Sequence, residues 1–421
     1  MTSLLGLRRS LHWQRLGCSA AVALLAVLAF GWVGRSQAAP SKTRHYFIAA
    51  DEVEWDYAPS GLNKITGQPF DEGANVFVQR GAQRIGRVYR KAIYREYTDA
   101  TFTKLKPVQP EWKHLGMLGP AIHAEVGDTI IVEFKNNSHY PASIHPHGVL
   151  YQKDSEGAPY ADGTSGKDKS DDAVPTGNTH TYTWQVPDRA GPGPGDGSSV
   201  LWMYHSHSEE VQDTYSGLIG PMIITARGQA KPDGSPKDVD REFVTMFEVS
   251  DENQSWYLDD NIKRYAGRPK SIDKEDEEFE ESNLMHGING YVFGNLPGLD
   301  MRVGEHVRWY VIGMGTEVDL HTPHWHGQTL LMSGGSMGMR TDMVELLPGS
   351  MKILDMLPDN AGTWLFHCHV NDHIKAGMLA LYTVQPASKA QEIDSSSFAP
   401  AVANTSTLWQ LYCNLTGRHP A

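Results

Sequence analysis

Residues 364–378 read Trp-Leu-Phe-His-Cys-His-Val-Asn-Asp-His-Ile-Lys-Ala-Gly-Met, and this stretch decides the fold. Three apolar residues lead into His367-Cys368-His369. Successive side chains of a strand point to opposite faces, so Cys368 faces away from both neighbouring histidines. A counterpart lies at 202–207, where Trp-Met-Tyr leads into His205-Ser206-His207. Each stretch follows a Pro-Asp turn, VPDRAGPG at 186–193 and LPDNAG at 357–362. Further upstream, Val126-Gly127-Asp128 opens an alternating strand over 129–135 that runs to IHPHG at 144–148. In the same way Val303-Gly304-Glu305 leads through Trp309 and Val311 to HTPHWHG at 321–327. A sandwich of strands written twice accounts for this pattern.

The composition agrees. With 41 glycines and 24 prolines in 421 residues and few long helical periodicities, strands joined by tight turns should dominate. The segment 229–239, rich in Pro, Gly and charge, reads as a linker between a first domain at 42–228 and a second at 240–388. A polar tail occupies 389–421, and the acidic run 273–281 reads as a solvated loop. A formal net charge of −13 argues against nucleic acid and would raise the local concentration of cations, a balance also common in merely soluble proteins.

Residues 1–39 carry Arg8, Arg9 and Arg15, an apolar run over 18–33 and then Ser36-Gln37-Ala38-Ala39, which is the grammar of a secretory signal peptide. Export to a periplasm or the extracellular space is the expectation. A retained anchor is the alternative, because 16–34 lacks charge. Of three cysteines, Cys18 would leave with the leader, and Cys413 lies in the tail without a functional reading. Cys368, between two histidines, is better suited to act as a thiolate ligand than as half of a disulfide.

Four histidine clusters stand out: His145 and His147; His205 and His207; His321, His324 and His326; and His367, His369 and His373 about Cys368. One His-x-His pair arises easily by chance. Four in matching places of a duplicated unit point to metal, since neutral imidazoles gain little from crowding unless a cation organises them. His321, Cys368, His373 and Met378 together supply two imidazoles, a thiolate and a weak thioether, the ligand set of a blue copper site.

HPHG, YHSH, HTPHWHG and HCHVNDHIKAGM match in order the four copper motifs of multicopper oxidases, and the chain resembles that family across both repeats. The resemblance implies an all-β chain of two cupredoxin-like Greek-key β-sandwich domains and four coppers per chain. A type 1 copper would be held by His321, Cys368, His373 and Met378. His145 and His324 would hold a type 2 copper, and His147, His205, His207, His326, His367 and His369 a type 3 pair. The implied reaction couples one-electron oxidation of a reductant to reduction of O2 to water. The first repeat lacks a type 1 site, because Ser206, Ala142 and Leu218 stand where Cys368, His321 and Met378 do. Two-domain members of the family close the trinuclear cluster between subunits, which implies a homotrimer.

Longer segments, SGLIGPMII at 216–224 and EFEESNLMHGINGYVFGNLPGL at 278–299, are similar to the ceruloplasmin and hephaestin ferroxidase branch. That similarity implies an Fe(II) site at Glu281, His286 and Asp372, and Glu156 as a carboxylate relaying protons to the cluster. A laccase-like phenol oxidase and a Cu(I) or Mn(II) oxidase are the enzymatic alternatives. A nitrite reductase would use fewer cluster histidines. A non-enzymatic copper carrier would need only the mononuclear site.

Overall fold

Burial alternates residue by residue along Thr129–Asn136, with Ile130, Val132 and Phe134 inward. The matching strand of the second half, Val307–Gly313, is buried throughout. The difference arises because this strand serves two cores. Trp309 and Val311 join the interior of their own sandwich. Tyr310 and Ile312 join a separate apolar seam with Val244 and Met246 against Leu201, Met203, Ile219 and Ile223 of the first half.

The computed structural model describes residues 41–316, 319–333 and 338–387. The expected leader at 1–39, the tail at 389–421, Cys18 and Cys413 lie outside the described residues. Among the described residues no helix is long and apolar enough to cross a membrane.

The first half pairs a five-stranded sheet, ordered Val88–Tyr97, Thr43–Asp56, Thr129–Asn136, Thr179–Gln185, Leu150–Tyr151, with a four-stranded one. The latter is ordered Ile122–Glu125, Ile219–Thr225, Ser199–His205, His145–Pro146. The second half repeats the plan. Leu284–Ile288, Arg241–Asp251, Val307–Gly313, Ser350–Met356 and Leu330–Met332 take the corresponding places, with Met339–Thr341 added at the edge. Its smaller sheet is ordered Asp300–Arg302, Leu379–Gln385, Gly362–Cys368, Pro323–Trp325. In both halves the first long strand runs parallel to its central neighbour, Thr43 beside Thr129 and Arg241 beside Val307. The all-β, cupredoxin-like architecture is therefore present twice.

One local feature differs from the sequence reading, and a second adds to it. The acidic run does not remain a loop: Glu277–Ser282 is a helix, started by the Asp276 carboxylate accepting from Phe279 N–H at 3.0 Å. Phe279 is buried and anchors it. The segment 229–239 is also closed on itself, with Lys231 N–H donating to Ser235 O at 2.7 Å and Thr225 Oγ1 donating to Gly234 O at 2.7 Å.

Candidate metal centres

In each half the small sheet ends in a pair of strands that carry histidines. His145 pairs with His205, and His324 with His367. Because i and i+2 share a face, each pair extends to four imidazoles. In the first quartet His147 Nε2 lies 3.1 Å from His205 Nε2, and the His145 and His207 rings stand 5.3 Å apart. In the second, His326 Nε2 lies 3.1 Å from His367 Nε2, and His324 and His369 stand 5.5 Å apart. The ring orientations are fixed from behind: His145 Nδ1 meets Glu156 O at 2.6 Å, His205 Nδ1 meets Ser206 O at 3.0 Å and His367 Nδ1 meets Cys368 O at 2.7 Å. Such bonds commit the other ring nitrogen to a ligand. Burial, aided by neighbouring imidazoles, holds His147 and His205 down to about 4, so they are neutral donors at physiological pH.

Across the strand from His367 and His369, Cys368 is fully buried. Its Sγ lies 3.5 Å from His373 Nδ1, which lies 3.3 Å from His321 Nδ1. One donor atom from each of these three residues falls within 4.8 Å of the others. His373 stands on the short helix Asn371–Ala376, which Gly377 ends in the left-handed conformation, φ 109°. That turn lets Met378 N–H return to His373 O at 2.9 Å and brings Met378, fully buried, into the same core as Cys368. Thr322 N–H points at Sγ from 3.4 Å. Burial pushes the free Cys368 thiol up, and burial with His373 alongside pushes His321 down to about 3. A metal favours the thiolate and thereby offsets what burial costs it, while burial already keeps the imidazoles neutral for binding. The soft sulfur donors with two imidazoles fit copper.

The residues expected at a substrate site are partly gathered. The His286 ring lies 5.3 Å from that of His373, and its Nδ1 meets Leu284 O at 2.9 Å. Burial and the neighbouring His373 hold His286 down to about 4. Asp372 is exposed, and its charge acts on both His286 and His373. Glu281 is exposed on the helix Glu277–Ser282, directly before the strand that bears His286. The helices Glu277–Ser282 and Asn371–Ala376 both touch a third, Glu72–Val78, where Phe77 packs edge-on against His286. Glu156 is arranged differently from a free relay. Its carboxylate accepts from Lys153 Nζ at 2.5 Å and Tyr160 OH at 2.8 Å, while its backbone carbonyl orients His145.

The sequence reading missed Asp213. Counted back from Gly217 it holds the place that His373 holds before Gly377, but two extra residues after Ser206 conceal the match. Ser206 Oγ donates to it at 2.6 Å, and Trp256 Nε1 does so at 2.8 Å. A hydrogen-bonded Ser-Asp pair thus fills the first half's version of the thiolate-imidazole site.

Two family models, both described as multicopper oxidase, match residues 113–229 and 266–388. The chain belongs to the multicopper oxidase family. It is 48% identical to human Ferroxidase HEPHL1 and 46% identical to human hephaestin, in each case over 84% of this chain and 30% of that protein. It is 42% identical to human ceruloplasmin over 84% of this chain and 33% of that protein. The chain therefore spans about a third of the length of these relatives. Among solved structures, a multicopper oxidase crystal structure superposes with TM-score 0.52 at 17% identity, covering 82% of this chain and 89% of that one. The multicopper oxidase mgLAC does so with TM-score 0.50 at 20% identity, covering 88% and 95%. These two likenesses concern the fold.

Proposed function

We propose that this chain is an exported copper-dependent oxidase that takes single electrons from a metal ion, Fe(II) above all, and passes them to dioxygen. Copper, when bound, supplies one-electron exchange at the Cys368 site and four-electron reduction of O2 to water at the histidine quartets. The observation that carries the reading is that His367, Cys368 and His369 are consecutive. One strand end serves both centres, and the backbone between them is a covalent route a few bonds long. On the substrate side, His286 and Asp372 stand at the edge of His373, and Glu281 is the exposed carboxylate nearest along the chain. Carboxylate and imidazole suit Fe(II). We assign four coppers per chain by the ligand count: one at His321, Cys368, His373 and Met378, and three at the eight remaining cluster histidines.

The test is oxygen uptake by copper-loaded protein offered Fe(II), Cu(I) and a phenol in turn. Glu281→Ala and Asp372→Ala should each weaken Fe(II) use by about 10–100-fold and leave phenol oxidation unchanged. Unchanged Fe(II) turnover in both variants would sink the iron site, and a copper content near one per chain would favour a carrier instead.

The same reading includes assembly. Among the described residues no ring contact joins the first quartet to the second. Exposed apolar side chains lie close in the chain to the first quartet, Leu150 and Val211, and Met343 is exposed opposite His324 of the second. A head-to-tail ring would bring the quartet of one subunit to that of the next, and three subunits is the closure we assign. Sedimentation velocity on the copper-loaded protein would reveal a trimer; a monomer retaining full oxygen uptake would rule out shared clusters.

A further inference from the structure

At the edge of the first half's small sheet farthest from His145, the strand Ile122–Glu125 presents His123 to a cavity of about 870 Å³. Residues of both halves line this cavity, and Glu242 is among them. The His123 Nε2 atom is closed off from solvent and has no hydrogen-bond partner. The nearest acidic atom is Glu242 Oε2 at 3.4 Å, and both side chains are about nine-tenths buried. The two atoms are within ion-pair distance but make no directed hydrogen bond, which leaves the buried ring nitrogen unsatisfied unless a ligand occupies the space beside it.

We infer that His123 and Glu242 bind a divalent transition-metal ion of tetrahedral preference, at a site separate from the copper ligands. The spacing supports this. With metal–ligand bonds of about 2.0–2.1 Å, atoms 3.4 Å apart subtend about 110° at a shared ion, close to the tetrahedral angle.

Both ligands are held for the purpose. The Tyr46 hydroxyl donates to His123 O at 2.9 Å and accepts from His123 N–H at 2.9 Å, which locks the backbone that carries the ring. Trp112 stands edge-on to that ring, with centroids 5.3 Å apart. Tyr310 OH donates to Glu242 Oε1 at 3.0 Å, so the carboxylate is oriented with Oε2 toward the imidazole. Outer hydrogen bonds of this kind orient metal ligands. Asp233 also lines the cavity and adds negative charge to it. The cavity leaves room for water or a small anion to complete the coordination.

The probe is Zn(II), titrated calorimetrically into full-chain protein already loaded with copper, with copper content and visible absorbance recorded before and after. Wild-type protein should take up one equivalent of Zn(II) that His123→Phe does not, with copper unchanged. Glu242→Gln keeps an acceptor for Tyr310 but removes the charge, and it should bind at least 10-fold more weakly. Identical titrations of wild type and both variants would overturn the assignment, as would zinc uptake matched by copper loss. Should His123→Phe fail to fold, Glu242→Gln decides alone: undiminished affinity there overturns the site, and the 10-fold loss supports it.

Discussion

Ser206 donates its hydroxyl to Asp213 Oδ2 at 2.6 Å, in the position where the second half sets Cys368 Sγ 3.5 Å from His373 Nδ1. The surroundings correspond as well. Ser143 N–H points at Ser206 Oγ as Thr322 N–H points at Cys368 Sγ, and Gly217 and Gly377 both adopt positive φ. The same backbone thus gathers a cysteine-histidine cluster in one copy and a hydrogen-bonded Ser-Asp pair in the other. Asp213→Ala would leave Ser206, Trp256 Nε1 and Glu209 N–H without their acceptor. The expected loss is about 1–3 kcal/mol in a denaturant titration, with the visible absorbance of the copper-loaded protein unchanged.

Glu248 gives a pH dependence with a definite sign. It is buried on the strand Arg241–Asp251, and burial pushes its carboxyl up to about 7, partly opposed by Ser250 and Lys91. The folded protein therefore holds this proton more tightly than the unfolded chain does. The contribution to stability is fully present below the unfolded value, near 4.5, and is lost as pH rises through about 7. Glu248→Gln should flatten the stability profile between those limits and raise stability at pH 8 by a few kcal/mol, ~3 at most.

The seam between the halves should respond as a core does. Ile312 is fully buried there. Ile312→Ala is expected to cost about 2–5 kcal/mol, measured by chemical denaturation. A loss below about 0.5 kcal/mol, typical of exposed positions, would mean that the seam opens in solution.

The proposed ring can be tested separately from the proposed mononuclear site. Met343 is exposed beside His324, with which it forms a backbone bridge. An uncompensated charge there costs about 3–5 kcal/mol once covered, enough to weaken association by more than about 100-fold. Met343→Glu should therefore sediment as a monomer and retain the visible absorbance of the Cys368 site, with oxygen uptake lost.

The duplicated sandwich was legible because its signals are local. Pro-Asp turns, alternating strands such as Thr129–Asn136 and the His-x-His pairs each need only a few neighbouring residues to be read. The closeness of Cys368 and His373 was legible for the same reason, whereas His321, which joins them, comes from a distant part of the chain. What escaped depends on distant partners. The unbroken burial of Val307–Gly313 follows from the seam, which no local period reports. The helix Glu277–Ser282 forms among acidic residues because Asp276 caps it and Phe279 finds a core. Asp213 was hidden by a two-residue difference in spacing, and the role of Glu156 toward His145 passes through its carbonyl, which side-chain chemistry does not reveal.

The enclosure of Cys368 has a kinetic consequence. Its sulfur has no exposed surface, the buried His373 packs beside His286 on one side of it, and the exposed His369 lies on the other side of the strand. In the proposed reaction only electrons cross the strand, so the reductant is oxidised and released before dioxygen takes those electrons up. Double-reciprocal plots of rate against reductant, taken at several oxygen tensions, should then form parallel lines, the signature of two half-reactions that alternate without a ternary complex.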